Sequence, residues 1–530
     1  MKKLPIGIQT FEDLIRFDYL YIDKTKSIYE LIAAAKGAFF LSRPRRFGKT
    51  LLISTLESIF SGKKELFKNL WIYNQEYNWK KYPIIKISFS GKLYEDKNSL
   101  KTYIKEIILE IAQDYDIQLN IDKDFDLLFR ELIRKLSEIE RVVILIDEYD
   151  TPILDCIHQP DLAKANRDIL KVFYTVIKDA DSYLRFAFLT GVSKFSKISV
   201  FSGMNNLNDI TMDKKYAELL GYTQTEIENY FDDRIDQLAG EIKKPELIAK
   251  IKNWYNGYRF SIKEVNVYNP FSSLLFFEKA QFKNYWFETG TPTFLINLIE
   301  MYDYDIPKIE NLEVPEIAFS SYEIEDLRIE PLLYQTGYIT IKDYQPENML
   351  YALGYPNFEV KQAFLEYLTD SASSVRKELA ASCIVKLIKA LHQNQLDEFF
   401  EIMRLFFVNI PYDLQLKHEK YYQTIFYLIF SLIGLRIEAE VKTNKGRIDA
   451  VVITKEQVFI FEFKLYDRAK QALAQIKRMK YFEKYQNLDK PCLLIGVEFD
   501  PSERNIGEFA SEFYKNDVTK KSAIKTGAKD

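Results

Sequence analysis

With 530 residues, of which 47% are hydrophobic, the chain is long enough for several domains with sizeable cores. Its net charge of −4 excludes a uniformly basic nucleic-acid coat, although the 73 Lys and Arg residues can still form a local basic channel. Three Cys and three His argue against a disulfide framework and a histidine-based metal site, and they favour a reducing compartment.

Neither the N-terminus nor the most apolar run of the chain predicts a membrane protein. The N-terminus lacks the continuous apolar run of a signal peptide. The most apolar run, residues 421–435, falls short of the ~20 residues needed to span a bilayer. We therefore expect a buried helix there, no membrane contact and a cytoplasmic protein.

The N-terminal part predicts a strand, a loop and a helix in the order of a phosphate-binding loop. An apolar run at 38–41 predicts the strand, and a helical pattern begins at Leu51. The loop between them ends in Gly48-Lys49-Thr50. In such a loop, backbone N–H groups and the helix N-terminus surround the phosphates, the Lys reaches the β- and γ-phosphates, and the Thr hydroxyl holds Mg²⁺.

One departure from the usual loop is Arg43, which stands where G-x-x-x-x-G-K-[ST] has its first glycine. The loop carries two further arginines, so the cluster either adds positive charge for phosphates or pairs with acids of a second domain. Upstream, the aromatic strand predicted at 19–25 either covers a sheet edge or contacts a nucleotide base. The candidate nucleotide contacts of this part are Arg46, Phe47, Gly48, Lys49, Thr50 and Leu51.

A second strand ends in two acids. Residues 142–146 are five consecutive apolar residues, which predict a central strand buried on both faces, and Asp147 and Glu148 follow directly. In the Walker B pattern the first acid supports Mg²⁺, here together with Thr50, and the second polarises the attacking water. The alternative is a strand that ends in a polar turn. The Gly-Lys-Thr sequence upstream favours the catalytic interpretation.

A third buried strand, residues 184–189, ends in Thr190-Gly191-Val192-Ser193. A polar side chain at the end of the strand beside a phosphate-binding loop can sense the γ-phosphate, and Thr190 or Ser193 is suited to this. Either residue can equally well cap the strand end. We include Thr190 among the candidate nucleotide contacts.

Residues 212–345 show a mainly helical, Tyr-rich pattern, which predicts a helical lid or winged extension. Thr223 and Glu226 have the spacing of a capping box. Arg259 either reaches a bound γ-phosphate or is buried against aromatic rings, and we favour burial. A turn near 354–357 marks a boundary, and the pattern is helical again to about 435.

Beyond residue 435 the apolar period changes to two and predicts an antiparallel hairpin of strands 446–453 and 458–465. Symmetric pairing across the turn places Asp449 directly opposite Glu462, with Cβ atoms ~4.5–5.5 Å apart. Lys464 lies on the same face as Glu462, because side chains two apart share a face of a strand.

The opposed carboxylates predict a metal site. Like charges opposite one another destabilise a hairpin, and a divalent cation removes the repulsion. Asp449 and Glu462 are therefore candidate Mg²⁺ ligands and, with Lys464, candidate catalytic residues, since Lys464 can polarise a scissile phosphate or help activate water. The alternative is a solvated charged face on which Lys464 neutralises the acids.

The surroundings of the hairpin favour a phosphate-binding function. Glu440 lies just upstream and can add an acid. A helix after the hairpin carries Gln471 and Gln475 one turn apart and is rich in Lys and Arg, which suits a nucleic-acid backbone.

Four segments together resemble one family: Tyr21-Ile22-Asp23-Lys24-Thr25, Arg43 to Thr50, Leu145 to Pro152 and Leu189 to Ser196. They are similar to the bacterial AAA-ATPase-like family of P-loop NTPases, which is usually fused to a C-terminal PD-(D/E)XK nuclease-like domain. Asp449, Glu462 and Lys464 resemble the D…E-x-K core of that domain. The resemblance implies an α/β fold: a P-loop NTPase with a central parallel sheet, a helical extension and a C-terminal α/β restriction-endonuclease-like domain.

The domain organisation predicted in this way has four segments: an ATPase-like domain at 1–210, a helical lid or winged extension at 211–355, a nuclease-like domain with a helical lead-in at 356–512, and a disordered basic tail at 513–530.

The function implied is an ATP-binding and ATP-hydrolysing protein whose nucleotide state regulates a Mg²⁺-dependent nuclease-like domain acting on DNA or RNA. An alternative is a signalling ATPase switch whose C-terminal domain only binds nucleic acid or a protein partner. ATP and Mg²⁺ are the expected cofactors. A homo-oligomer is expected if an arginine has to be supplied in trans, and no such arginine stands out in the sequence.

Overall fold

The structure is a computed structural model. It describes residues 1–34, 36–194, 204, 206–240, 242–287, 295, 298, 299, 302, 304, 306–319, 328–373, 377–410, 419–437, 440–443, 449–465, 468–488, 490–500 and 502–514. The chain divides into two compact units, the first formed by Met1–Met301 and Ile309–Lys361, and the second by Tyr302–Lys308 and Gln362–Asp530. The predicted boundaries at 210 and 355 stay predictions.

The first unit is built on a five-stranded sheet whose strands are all parallel. The strands of this unit are β1 (Gly37–Ser42), β2 (Ile84–Ser88), β3 (Val142–Asp147), β4 (Leu184–Gly191), β5 (Asn208–Asp209), β6 (Tyr222–Thr223), β7 (Val267–Tyr268), β8 (Leu312–Pro315), β9 (Thr340–Gln345) and β10 (Leu350–Gly354). The order in the sheet is β2-β3-β4-β1-β5. The carboxyl ends of β1, β3 and β4 therefore lie side by side, which confirms the predicted central parallel sheet.

Helices cover both faces of this sheet, since β3 is buried along its whole length. The helices that begin in the first unit are α1 (Phe11–Arg16), α2 (Thr25–Ile32), α3 (Lys49–Phe60), α4 (Ser99–Asp114), α5 (Phe125–Ser137), α6 (Thr151–Leu154), α7 (Pro160–Asp179), α8 (Gln224–Tyr230), α9 (Asp232–Ala239), α10 (Lys244–Tyr255), α11 (Pro270–Lys279), α12 (Ile329–Thr336) and α13 (Phe358–Ser373). Short 3₁₀ turns occupy Lys64–Phe67, Trp71–Asn74, Asp181–Tyr183, Lys214–Tyr216, Ile306–Asn311 and Glu316–Phe319. Val143 and Leu145 of β3 share one core with helices α1, α2 and α3.

The predicted extension is only partly helical. Helices α8 to α11 pack around a second core that includes Ile22 and Phe231. The capping box of Thr223 and Glu226 is confirmed at the start of α8. The segment also contains an antiparallel sheet, β8-β10-β9, which the helical pattern did not predict. Its strands are only four to six residues long, so their period of two is easily lost among helices.

The second unit is a mixed five-stranded sheet in the order β11-β12-β13-β14-β15. Its strands are β11 (Glu440–Thr443), β12 (Asp449–Ile453), β13 (Val458–Leu465), β14 (Cys492–Asp500) and β15 (Asn505–Tyr514), and its helices are α14 (Lys377–His392), α15 (Leu396–Val408), α16 (Glu419–Ile437) and α17 (Ala469–Met479), with a 3₁₀ turn at Tyr481–Leu488. Strands β13 and β14 are parallel, and the other neighbours are antiparallel.

The sheet of the second unit is also covered on both faces. On one face the ring of Phe463 lies 4.3 Å from that of Phe426 in α16. On the other, Gly496 lies so close to α17 that an added Cβ would come within 2.4 Å of the Leu473 nitrogen. The helix predicted at 421–435 is confirmed as part of α16, and its residues from Ile425 to Phe430 are buried.

The predicted tail begins too early, because β15 continues to Tyr514, where Phe513 and Tyr514 still pair with β14. Residues 515–530 lie outside the described residues. Among the described helices, none combines the length and the apolarity that a membrane span requires.

Candidate functional site

The phosphate-binding loop lies between the end of β1 and the start of α3. Gly48 immediately precedes α3 with φ 88°, in the left-handed region, where a side chain would be strained. Helix α3 therefore begins directly after the loop, with its unpaired N–H groups and positive dipole end at the loop. This is the arrangement that the Gly-Lys-Thr sequence predicts.

Lys49 is folded back onto its own loop. Its ammonium donates hydrogen bonds to the carbonyl oxygens of Arg43, at 3.0 Å, and Pro44, at 2.9 Å. Burial lowers the pKa of Lys49, and the carboxylates of Asp147, Asp150 and Glu148 oppose this effect. The loop thus holds a desolvated cation for which phosphate oxygens would be stronger partners than carbonyls.

Thr50 and Asp147 meet at the carboxyl edge of the sheet. The Thr50 hydroxyl donates to Oδ2 of Asp147 at 2.7 Å, and the Glu148 backbone N–H donates to Oδ1 at 3.0 Å. A hydroxyl and a carboxylate beside a phosphate-binding loop are oxygen ligands that suit Mg²⁺. The structure therefore brings together the two residues that the sequence assigns to the metal.

Glu148 has two unusual properties. Its backbone is left-handed, with φ 52°. Burial raises the pKa of its carboxyl above the usual value and Asp147 adds to this, while Lys49 and Arg45 act in the opposite direction. A carboxylate with a raised pKa is a stronger base, which suits a group that takes a proton from water.

Thr190 is not brought into the cavity beside the loop. Its side chain is fully buried, and its hydroxyl donates to the carbonyl oxygen of Leu41 at 2.8 Å. The hydroxyl of Ser193 is hydrogen-bonded to Asp150. The sensing function of either residue stays a prediction, and this geometry favours the alternative of a capped strand end.

The arginines of the loop differ in position. Arg43 is 1% exposed, and its guanidinium donates to the carbonyl oxygens of Ser42 and Thr211 and lies 4.2 Å from the centre of the Phe260 ring. Burial lowers its pKa to about 10. The suggestion that Arg43 supplies charge to phosphates is thus not supported. Arg259 is also buried, as favoured from the sequence, and its guanidinium donates to the carbonyl oxygens of Ser261 and Ile262. Its stacking on aromatic rings stays a prediction.

A cavity of about 400 Å³ opens at the loop. Its wall contains all the candidate contacts from Arg46 to Leu51, together with Arg45 and Glu148. The same wall also contains Pro5 to Gln9, Tyr21 and Ile22, and Leu219 to Tyr222 and Phe271 of the extension. The strand predicted at 19–25 is wrong, because residues 20–24 form no strand and α2 begins at Thr25. The base contact of this segment stays a prediction, which its place in the cavity wall favours. Lys24 lies in the same wall, 2.7 Å from Glu226.

The C-terminal hairpin has the predicted register, with Asp449 paired to Glu462. Glu462 is 0% exposed, so a solvated charged face is wrong for this residue. The Lys464 ammonium lies 3.3 Å from its Oε1, yet neither carboxylate oxygen accepts a hydrogen bond from the described residues. The side chains of Asp449 and Glu440 lie outside the described part of the chain.

The basic helix predicted after the hairpin is confirmed as α17, which packs against β13 and β14. Gln475 points its amide nitrogen into the interior, where no described residue accepts a hydrogen bond from it. Gln471 instead accepts a hydrogen bond from the Arg468 backbone.

Comparison with known proteins identifies both units. A family model described as a predicted AAA-ATPase matches residues 5–201, and a model of the PD-(D/E)XK nuclease superfamily matches residues 417–509. A protein from Azotobacter chroococcum mcd 1, named only as an uncharacterized protein in the vnfD 5′ region, is 39% identical over 529 residues, which cover 96% of this chain and 99% of that protein. The chain belongs to the predicted AAA-ATPase family. Its C-terminal domain belongs to the PD-(D/E)XK nuclease superfamily.

A solved structure is much less similar to this AAA-ATPase-like chain than the A. chroococcum protein is. The Aeropyrum pernix ORC2 protein, in its ADPNP–ADP complexes, is matched with a TM-score of 0.26 and 11% identity, over 63% of this chain and 87% of that one. A similarity at that level supports no conclusion about function.

Sequence reasoning missed Asp150 in this AAA-ATPase-like domain. Its buried carboxylate accepts hydrogen bonds from the backbone N–H groups of Val192 and Ser193, and so joins the turn after β3 to the end of β4. An added Cβ at Gly191 would come within 2.3 Å of it. The acid-rich sequence Asp147 to Asp150 was visible, but only the fold shows that its last member serves the neighbouring strand.

Proposed function

We propose that the first unit binds and hydrolyses ATP with Mg²⁺, and that its nucleotide state regulates a Mg²⁺-dependent nuclease-like second unit that acts on nucleic acid. The observation that carries the first half is the 2.7 Å hydrogen bond between Thr50 and Asp147, because Thr50 also lines a cavity whose wall contains both charged loop residues and apolar side chains. A charged phosphate end and an apolar base end are the two environments that a nucleotide requires.

Each site residue of the first unit has its own function in the proposed ATP hydrolysis. The N-terminus of α3 and the loop N–H groups bind phosphates. Lys49 exchanges its two carbonyl partners for phosphate oxygens. Thr50 and Asp147 would hold Mg²⁺, which neutralises phosphate charge when bound. Glu148 orients the attacking water and accepts its proton, a function that its raised pKa supports.

ATP binding and turnover by the full-length protein and two variants test this half. We expect Lys49→Ala to abolish nucleotide binding, because it removes the loop's cation. We expect Glu148→Gln to bind ATP normally but to turn it over at least about 10²-fold more slowly, since general-base catalysis contributes that much. Equal turnover by the wild type and both variants would rule out hydrolysis at this site.

The second half rests on the Glu462 carboxylate. A buried acid whose oxygens lack hydrogen-bond partners among the described residues is costly unless a cation compensates it. Lys464 compensates part of the charge, and the register places a second acid, Asp449, opposite. Asp449 and Glu462 would hold Mg²⁺ there, and Lys464 would contact the scissile phosphate. Exposed Arg468 and Lys470 beside this hairpin suit a phosphate backbone.

Cleavage of DNA and RNA with Mg²⁺ or Mn²⁺ tests the second half. We expect Asp449→Ala and Glu462→Ala each to abolish it. If the wild type binds nucleic acid or a protein partner but cleaves no DNA or RNA, the alternative of a signalling ATPase with a binding-only second domain replaces the nuclease.

A further inference from the structure

The loop between β1 and Gly48 contains three arginines, and two of them have partners. The guanidinium of Arg43 is buried on backbone carbonyls, as described above. The guanidinium of Arg46 lies 5.0 Å from the centre of the Phe271 ring, in the wall of the cavity. Neither guanidinium can move towards a phosphate without losing these contacts.

Arg45 differs from both, because its guanidinium has no hydrogen bond or ion pair within the described part of the chain. Like Arg46 it is exposed and lines the cavity, which it does together with Lys49 and Glu148. Its backbone, by contrast, is held in place, because the indole N–H of Trp286 donates to the Arg45 carbonyl oxygen at 3.1 Å. The Arg45 guanidinium is therefore an unpaired cation, while the contact with Trp286 fixes the position of the Arg45 backbone.

The charges around Arg45 are those of the proposed hydrolytic centre. Arg45, Lys49 and Glu148 all line the same cavity. Arg45 thus lies on the side of the loop where the proposed base, Glu148, and the phosphate-binding Lys49 are found.

We propose that Arg45 is a catalytic residue whose guanidinium contacts the γ-phosphate of ATP in the same chain and stabilises the charge that develops during hydrolysis. This inference rests on the proposed ATP hydrolysis. In that reaction the water oxygen bonds to the γ-phosphorus while the bond from that phosphorus to the β,γ-bridging oxygen breaks. Glu148 takes the proton of the water, and ADP and inorganic phosphate leave.

The chemistry favours arginine for this function. Its planar fork of N–H donors matches two phosphate oxygens at once, which an ammonium cannot do. Because Arg45 has no partner to give up, its reorientation towards a phosphate breaks no existing bond. An arginine supplied from within the chain also removes the need for a second subunit to complete the site.

Steady-state and binding measurements on the full-length protein test this assignment. We expect Arg45→Ala to lower kcat by roughly 10³-fold or more, in line with other arginines that act on a transferred phosphoryl group. The affinities for ATP and ADP should change little. Affinity for ADP with aluminium fluoride, which mimics the transferred phosphoryl group, should be lost. Arg45→Lys should recover only part of kcat. Lys68→Ala, which removes an exposed charge outside the cavity, is the control and should match the wild type.

Mixing two inactive variants separates a cis from a trans arginine. If Arg45 acts within its own chain, Arg45→Ala mixed with Lys49→Ala stays inactive, and the specific activity of the wild type does not depend on protein concentration. Restored activity in the mixture would overturn the cis assignment. Wild-type kcat in Arg45→Ala would overturn the inference alone, while a wild type without any ATP turnover would overturn it together with the proposed function.

Discussion

At the scale of single residues, Glu148 combines a left-handed backbone with a partly buried carboxyl. Both features cost folding free energy, since a non-glycine residue in the left-handed region is strained and burial disfavours the charged form. Such costs are typical of residues that serve chemistry rather than stability. If that is true of Glu148, removing its charge should increase the free energy of unfolding and lower the rate of the proposed ATP hydrolysis.

The stability of Glu148→Gln should therefore depend on pH in a defined direction. A carboxyl whose pKa is raised on folding contributes stability below its unfolded pKa of about 4.3, and that contribution is lost as the pH rises through the folded pKa. We expect Glu148→Gln to have a higher urea midpoint than the wild type at pH 7.5 and a smaller advantage at pH 5. The control Glu65→Gln, at an exposed site outside the cavity, should behave as the wild type at both pH values. A lower midpoint for Glu148→Gln at pH 7.5 would contradict this.

Arg43 shows what the sequence can and cannot predict about a single residue. The sequence predicts a phosphate-binding loop in spite of Arg43, because the strand before it and Gly48-Lys49-Thr50 after it are local signals. It cannot predict that the guanidinium donates to the carbonyl oxygen of Thr211, which is 168 residues further along the chain. Such a contact depends on the packing of the extension, for which no local pattern exists.

At the scale of elements, the edge strand β2 has tyrosine caps on its free side. The hydroxyl of Tyr115 accepts from the Ile84 N–H at 2.8 Å, and the hydroxyl of Tyr103 donates to the Ser88 carbonyl at 2.6 Å. Unpaired groups on an edge strand are a template for association with another chain. Two tyrosines from α4 and its C-terminal end thus satisfy groups that a sixth strand would otherwise pair with.

Removal of these two hydroxyls should promote self-association. We expect the double variant Tyr103→Phe and Tyr115→Phe to keep its fold, because the rings remain, but to form larger species in light scattering as the concentration rises. Tyr183→Phe, an exposed tyrosine outside this strand, is the matched control. A double variant that scatters like the control would show that the caps do not protect the edge.

The two sheets show why some elements were predicted and others were not. The pairing of β12 with β13 follows from a period of two and a short turn, which fix the register locally. Strand β14, by contrast, is inserted parallel to β13 after the whole of α17. Its position depends on a crossover connection, for which the local pattern gives no register. The opposition of Asp449 and Glu462 therefore came from the hairpin, while the preference for a metal site also used the residues around it.

At the scale of the whole molecule, the chain combines a predicted AAA-ATPase domain with a PD-(D/E)XK nuclease superfamily domain. The related A. chroococcum protein is matched across both. Each unit has its own sheet and its own buried acid, Asp147 in the first and Glu462 in the second, so the two proposed sites can be substituted separately. The proposed regulation is therefore testable, because one variant should lose cleavage of nucleic acid and a different variant should lose the response of cleavage to ATP.

The most direct test measures Mg²⁺-dependent cleavage of labelled single- and double-stranded DNA and RNA by the full-length protein, with and without ATP. We predict that at least one of these nucleic acids is cut and that ATP changes the rate. We further predict that Glu462→Ala abolishes cutting and that Lys49→Ala still cuts but no longer responds to ATP. Cleavage by the wild type that is identical with and without ATP, or no cleavage of any substrate, would contradict the proposed control of a nuclease by the nucleotide site.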